Sequence, residues 1–188
     1  MRVLVACEFS GIVRDAFLAQ GHDAVSCDLL PSERPGPHYQ GDVRDILCES
    51  WDMLLAFPPC TYLCNSGARW WTQRQREQGE ALAFVRLLLG APITRIALEN
   101  PEGRISTAIR KPDQIVHPFW FGDPYMKKTH LWLKGLPRLT PTQMVAGREQ
   151  QCWRAPQSRN RAKNRSRTYP GLANAMAAQW GIPHDSQS

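Results

Sequence analysis

The order of apolar runs constrains this chain most. Short β-branched runs alternate with stretches whose apolar residues recur at helical spacing, and that alternation favours a three-layer α/β sheet with right-handed crossovers. Residues 2–7 (RVLVAC) read as a first strand, residues 11–20 as a helix closed by Gly21, and residues 23–28 (DAVSCD) as a second strand. Residues 29–40 carry three prolines and a glycine and read as a loop, and residues 41–49 begin with a turn that continues as a short helix. Residues 52–57 (DMLLAF) form a third strand, stopped by Pro58-Pro59 because proline cannot donate to a ladder. In residues 72–89 the apolar positions Ala81, Phe84, Val85, Leu88 and Leu89 share a helical face, and Gly90 and Pro92 close it. A fourth strand is expected at 93–98 (ITRIAL), later strands at 114–117 and 129–133, and a last helix at 171–180.

With 188 residues and 43% apolar content, the chain suits one packed domain over 1–188. No apolar run approaches the ~20 residues that cross a bilayer. The opening MRVLVACEFSG lacks a signal-peptide cleavage pattern, so the expectation is a cytoplasmic protein with no membrane partner. Six cysteines stand at 7, 27, 48, 60, 64 and 152, and reduced thiols are the default for such a chain.

Charge is unevenly placed. Residues 1–100 hold 9 Lys and Arg against 12 Asp and Glu, whereas residues 101–188 hold 14 against 5. The excess peaks in residues 154–168, where Arg154, Arg159, Arg161, Lys163, Arg165 and Arg167 meet no acidic residue. Such a run can neutralise phosphates and release counterions, or stay a solvated loop. Its self-repulsion favours contact with a polyanion, and nucleic acid is the expected partner.

In open α/β sheets ligands sit beyond the carboxyl ends of the strands. The unusual residues of this sequence fall there: Glu8 to Gly11, Asp28, Asp42, Pro58 to Cys60, and Glu99 to Pro101. Glu8-Phe9-Ser10-Gly11 leaves the first strand and opens a helix. Glycine there lets backbone approach a ligand, although an ordinary strand-to-helix turn uses the same residues. Asp28 ends the next strand, where a carboxylate can accept ribose hydroxyls or stay at the surface. Asp42 suits an adenine amine or a helix N-cap. Phe57-Pro58-Pro59-Cys60 holds a thiol on a stiff turn, a plausible nucleophile. Cys60 and Cys64 form C-x-x-x-C without a second ligand pair or a nearby His, so no metal is expected. Glu99 either pairs at the surface or reaches the same cavity as Cys60 and binds a base edge.

Taken together, these motifs resemble the DNA cytosine-5 methyltransferase family. Glu8-Phe9-Ser10-Gly11 is similar to its donor-binding Asp-Leu-Phe-x-Gly turn, and Phe57-Pro58-Pro59-Cys60 to its Pro-Cys nucleophile loop. Glu99-Asn100-Pro101 resembles its Glu-Asn-Val element, and residues 121–128 (FGDPYMKK) its Gly-x-Pro-Gln-x-Arg-x-Arg segment. The chain departs from the family at Val13, Thr61, Lys127 and Thr129, which stand for a glycine, a glutamine and two arginines. It also departs in length: only a basic irregular insert, 135–169, occupies the place of the target-recognition region, as in small phage-type members.

The resemblance implies a three-layer Rossmann-like fold that binds S-adenosylmethionine through Glu8, Phe9, Ser10, Gly11, Asp28, Asp42 and Pro58. It implies methyl transfer to C5 of cytosine in DNA, with Cys60 adding covalently to C6, Glu99 holding N3 and the exocyclic amine, and Lys127 contacting the base or its phosphate. The target base would flip out or arrive single-stranded. A second copy or a partner chain would supply recognition surface. Two rivals stay open: a methyltransferase acting on RNA or a free nucleotide, and a non-catalytic module that binds nucleic acid.

Overall fold

The computed structural model describes residues 1–146 and 166–182. Each apolar run becomes a strand of one sheet: β1 (Arg2–Ala6), β2 (Asp23–Asp28), β3 (His38–Gln40), β4 (Met53–Ala56), β5 (Arg95–Asn100), β6 (Gln114–Val116) and β7 (Thr129–Lys134). Their order is β3-β2-β1-β4-β5-β7-β6. The first five in that order pair in parallel, and β7 runs antiparallel to both β5 and β6. Among the described residues these α-helices accompany them: α1 (Ile12–Ala19), α2 (Gln75–Leu89), α3 (Ile105–Ala108) and α4 (Pro170–Trp180).

Strand alternation splits the core in two. Val3 and Val5 of β1 point to one face, where Val13, Ala16 and Phe17 of α1 meet Leu172, Ala173, Met176 and Trp180 of α4. Leu4 and Ala6 point to the other, where Leu82, Val85 and Leu88 of α2 cover Leu54, Ile96, Leu98 and Trp132. Each large side chain wholly removed from water contributes about 1.5–3 kcal/mol, so both layers hold the sheet. Trp180 is fully buried, and its indole N–H donates to the Pro137 carbonyl at 2.9 Å. Leu139 joins the same core, so the start of the basic insert is packed. No helix among the described residues is long and apolar enough to cross a membrane.

Three differences from the sequence reading are informative. The loop at 29–40 ends in strand β3, which pairs only with β2 at the sheet edge. Its three residues escaped notice because Pro31, Pro35 and Pro37 crowd the chain just before it. The helix expected after residue 41 is a single 3-10 turn, Val43–Asp45, and short turns at Asn65–Trp70 and Pro118–Trp120 and helix α3 were not foreseen. The strand expected at 93–98 runs two residues later. The β4–β5 ladder stops at Ala56 and Leu98, but β7 continues to pair with Glu99 and Asn100. Antiparallel β7 thus carries a polar pair past the point where Pro58-Pro59 ends the neighbouring strand, leaving a notch in the sheet edge.

Candidate active site

Backbone hydrogen bonds tie the strand-end tips to one another. Glu8 N–H donates to Cys27 O at 3.0 Å, Gly41 N–H to Asp28 O at 3.0 Å, and Phe57 N–H to Ala6 O at 3.0 Å. The Asn100 amide crosses the notch to the Pro58 carbonyl at 2.8 Å. The five tips singled out in the sequence therefore lie along one carboxyl edge.

The β1–β3 half of that edge is built around Glu8 and Arg14. Glu8 is buried, and its Oε1 accepts from Ser10 Oγ and from Ile12 N–H at 3.0 Å, so it caps α1 from the preceding strand. Burial pushes its carboxyl above the usual range, against those hydrogen bonds. Gly11 has φ +74°, and a Cβ there would stand 2.6 Å from Arg14 Nη2. The space above the glycine is thus filled by the chain's own arginine. Arg14 is fully buried and donates to Asp15, Ser26 Oγ, Ser32 Oγ and the Arg34 and Pro35 carbonyls, which fastens the proline-rich loop to α1. Asp28 Oδ1 accepts from Leu30 N–H at 2.9 Å, and Asp42 Oδ1 caps the 3-10 turn through Arg44 N–H at 3.0 Å. Burial raises the Asp28 carboxyl, and the same two carboxylates add to burial in raising the Cys7 and Cys27 thiols, Cys27 to about 12.

The other half holds the loop that carries Cys60. Cys60 starts a tight turn in which Leu63 N–H and Cys64 N–H both donate to its carbonyl at 3.0 Å. That turn sets the two thiols close enough for each to shift the other's ionisation. Cys64 also meets Ser66 Oγ at 3.0 Å and the N–H groups of Ser66 and Gly67. Cys60 and this donor set lower the Cys64 thiol, while Cys64 and burial raise Cys60. Glu99 and Lys127 stand near enough to act on Cys60 in opposite senses, the carboxylate raising it and the ammonium lowering it. Lys127 Nζ lies 3.9 Å from Glu99 Oε1, both largely shielded. Gly103 locks the loop from behind: a Cβ there would stand 1.9 Å from the Leu63 carbonyl, and Arg104 N–H donates to that oxygen at 2.8 Å.

The structure therefore gathers Cys60, Glu99 and Lys127 at the notch, and Asp28 and Asp42 beside Cys7 and Cys27. Of the basic run, Arg154, Arg159, Arg161, Lys163 and Arg165 lie outside the described residues. Arg167 pairs with both carboxylate oxygens of Glu33, at 2.7 and 2.8 Å, and sits 6.0 Å over the Phe9 ring. Tyr169 stacks with Tyr125 and lies 5.9 Å from Lys127 Nζ. The run thus rejoins the described chain at the same edge. Sequence reasoning weighed Cys64 only as a metal ligand and passed over Arg14. The C-x-x-x-C spacing was the signal for the first, since a single turn brings i and i+4 together. A lone arginine on the apolar face of α1 was the signal for the second. Among the described residues no three His, Cys, Asp or Glu side chains gather as a metal set.

No protein-family model matches this chain, and no curated protein matches it. Among solved structures it is similar to the Entamoeba histolytica methyltransferase EhMeth, with a TM-score of 0.54 and 13% identity over 77% of this chain. The chain spans 57% of that protein's length. The likeness is one of fold alone, that of a mixed α/β chain built on a seven-stranded sheet.

Proposed function

We propose that this chain is an S-adenosylmethionine-dependent methyltransferase of Rossmann-like fold that methylates C5 of cytosine in DNA through a covalent adduct on Cys60. The observation that carries the reading is the notch itself, where a thiol pair, a carboxylate and an ammonium meet beyond the carboxyl ends of β4 and β5. The likeness in fold to a methyltransferase supports the donor class, and the basic run supports a polyanionic acceptor.

The residues of the β1–β3 half fit the donor. Asp28 and Asp42 use only Oδ1 in their hydrogen bonds, so each keeps Oδ2 to accept, Asp28 from ribose hydroxyls and Asp42 from the adenine amine. Glu8, Ser10 and Gly11 shape the turn beside them, with Phe9 and Pro58 flanking. When bound, S-adenosylmethionine supplies a sulfonium-activated methyl group as electrophile.

The other half prepares the base. Cys60 sulfur bonds to C6 as its proton passes to the Cys64 thiolate, and the C5–C6 π pair moves onto C5. Glu99 engages N3 and the exocyclic amine and stabilises the charge that develops on the ring. A carboxyl in that place suits cytosine better than uracil, which offers N3–H and no amine. Lys127 contacts the base or its phosphate and balances Glu99. After methylation the C5 proton leaves to solvent, the C5–C6 double bond re-forms, and the departing Cys60 sulfur keeps the C–S pair and recovers its proton from Cys64. The Asn100 bond to Pro58 holds the loop at its working distance. The base must leave its stack or arrive unpaired to reach the notch.

The test is nucleoside mass spectrometry of DNA and RNA incubated with protein and donor. We expect 5-methylcytosine in DNA with the native chain and none with Cys60→Ala, which should still bind donor by calorimetry. Methyl transfer undiminished in Cys60→Ala, or methylation confined to RNA, would overturn the reading.

A further inference from the structure

A second cavity, of about 350 Å³, opens on the α2 side of the sheet behind the Cys60 loop. Its polar lining includes Arg104, Lys111 and Lys128, with Glu102 alone among carboxylates, and Glu102 is already held by Lys128 at 2.8 Å. His130, which lines it from β7, is 4% exposed, and neither of its ring nitrogens has a hydrogen-bond partner. Ser106 Oγ and Trp71 Nε1, from two other lining residues, are likewise buried without partners. Buried polar groups are nearly always hydrogen-bonded, so a cluster of orphaned ones around one cavity asks for a ligand.

The chemistry of that ligand follows from the lining. Arginine, lysine and indole can only donate, and the hydroxyl and imidazole can do so too. Burial, and Lys128 beside it, hold His130 below the ordinary imidazole range, so it stays neutral with one N–H to give. An anionic group with several acceptor oxygens is the chemical complement of such a lining, led by Arg104, Lys111 and Lys128. The place of the cavity narrows the choice further. Asn65, which follows Cys64, lines it, and Cys64 bridges to Gly103 on its other wall. Trp71 is shared with a neighbouring cleft lined by Tyr62, half-exposed Trp70 and Arg74, the aromatic and basic surface on which single strands stack.

We propose that this cavity holds a backbone phosphate of the strand whose cytosine enters the Cys60–Glu99 notch. The assignment rests on the function proposed above. It adds a second anchor that reads backbone and not base, in a chain with only a short insert for recognition.

Binding is measured on the full-length Cys60→Ala protein without donor, so the outcome does not depend on methyl transfer. The probes are a cytosine-containing single-stranded oligodeoxynucleotide, inorganic phosphate and deoxycytidine. We expect the oligonucleotide to move the His130 ring-nitrogen resonances and deoxycytidine to leave them unchanged. Exposed Lys111 is the substitution least able to disturb folding, and Lys111→Gln should weaken oligonucleotide binding by about three- to tenfold at low salt. It should also flatten the log–log salt slope by about 0.7, one phosphate contact on a single strand. The basic run contributes equally with and without Lys111, so the difference isolates the cavity. Oligonucleotide binding with His130 unmoved and the slope unchanged would overturn the proposal, as would a response to inorganic phosphate alone. Either result leaves the role of Cys60 to its own assay.

Discussion

The two halves of the strand-end edge treat their polar groups differently. Around β1–β3, Arg14 donates to two serines, two loop carbonyls and Asp15, and Glu8, Asp28 and Asp42 each cap a turn of their own. Around β4, β5 and β7, Asn100 Oδ1, Ser106 Oγ and both nitrogens of His130 are buried with no partner. The first half is the more complete frame: Glu8 Oε2 is its one buried side-chain atom without a partner among the described residues, and Asp28 and Asp42 keep acceptor oxygens in reserve. The second is held open by Asn100 and Gly103 but left chemically incomplete. Native interiors satisfy nearly all such groups, so the incomplete half is where a ligand belongs.

The substitution that separates the halves most sharply is Glu99→Gln. It keeps the shape of the side chain but removes the carboxyl that faces Cys60 and Lys127. Loss of a group that stabilises developing charge costs about 10²–10³ in rate. Methyl transfer should fall by that factor in a tritiated-donor assay, with donor affinity unchanged by calorimetry. Equal losses in rate and donor affinity would mean that the halves are not separable.

Much of the frame was legible in the sequence, because strands and helices declare themselves by period. Strand β2 was delimited to the residue, and β1, β4 and helices α1 and α4 to within one or two. The strand-end placement of the site residues followed from the same pattern. What was not legible depended on partners far away in sequence. Strand β5 runs on through Glu99 and Asn100 because β7, some thirty residues later, pairs with them. Arg14 is buried because a loop twenty residues on supplies its acceptors. The Cys60–Cys64 contact is local, yet its electrostatic sense depends on the donors that Ser66 and Gly67 happen to present.

The frame itself can be broken at Arg14. Arg14→Met removes the guanidinium's own bonds to the loop before β3 and leaves Ser26, Ser32 and two carbonyls without that donor, while Glu33 keeps its bond to the Phe9 carbonyl and its pair with Arg167. Asp15 keeps Arg34 as partner, so no charge is stranded. The expected loss is about 2–3 kcal/mol, a melting temperature lower by roughly 5–10 °C. Limited proteolysis should cut first within residues 29–37. A variant that melts with the native chain and resists cleavage there would show that the loop is held by something other than this guanidinium.

The smallest effect tests the division of labour within the incomplete half. Cys64 is the thiol that ionises first, because Cys60, the Ser66 hydroxyl and two backbone N–H groups all favour its thiolate. Cys60 is held protonated by Cys64 and by burial, with Glu99 opposing and Lys127 assisting its ionisation. Alkylation by iodoacetamide in mildly acidic solution should therefore map to Cys64, although Cys60 is the sulfur proposed to add to the base. In Cys64→Ser the low-pH reaction should vanish from the loop. Cys60 must then lose its proton to solvent, so methyl transfer should drop by about tenfold at neutral pH and recover as the medium becomes alkaline. Low-pH alkylation mapping to Cys60 in the native chain would reverse the proton's direction, and with it the part given to Cys64.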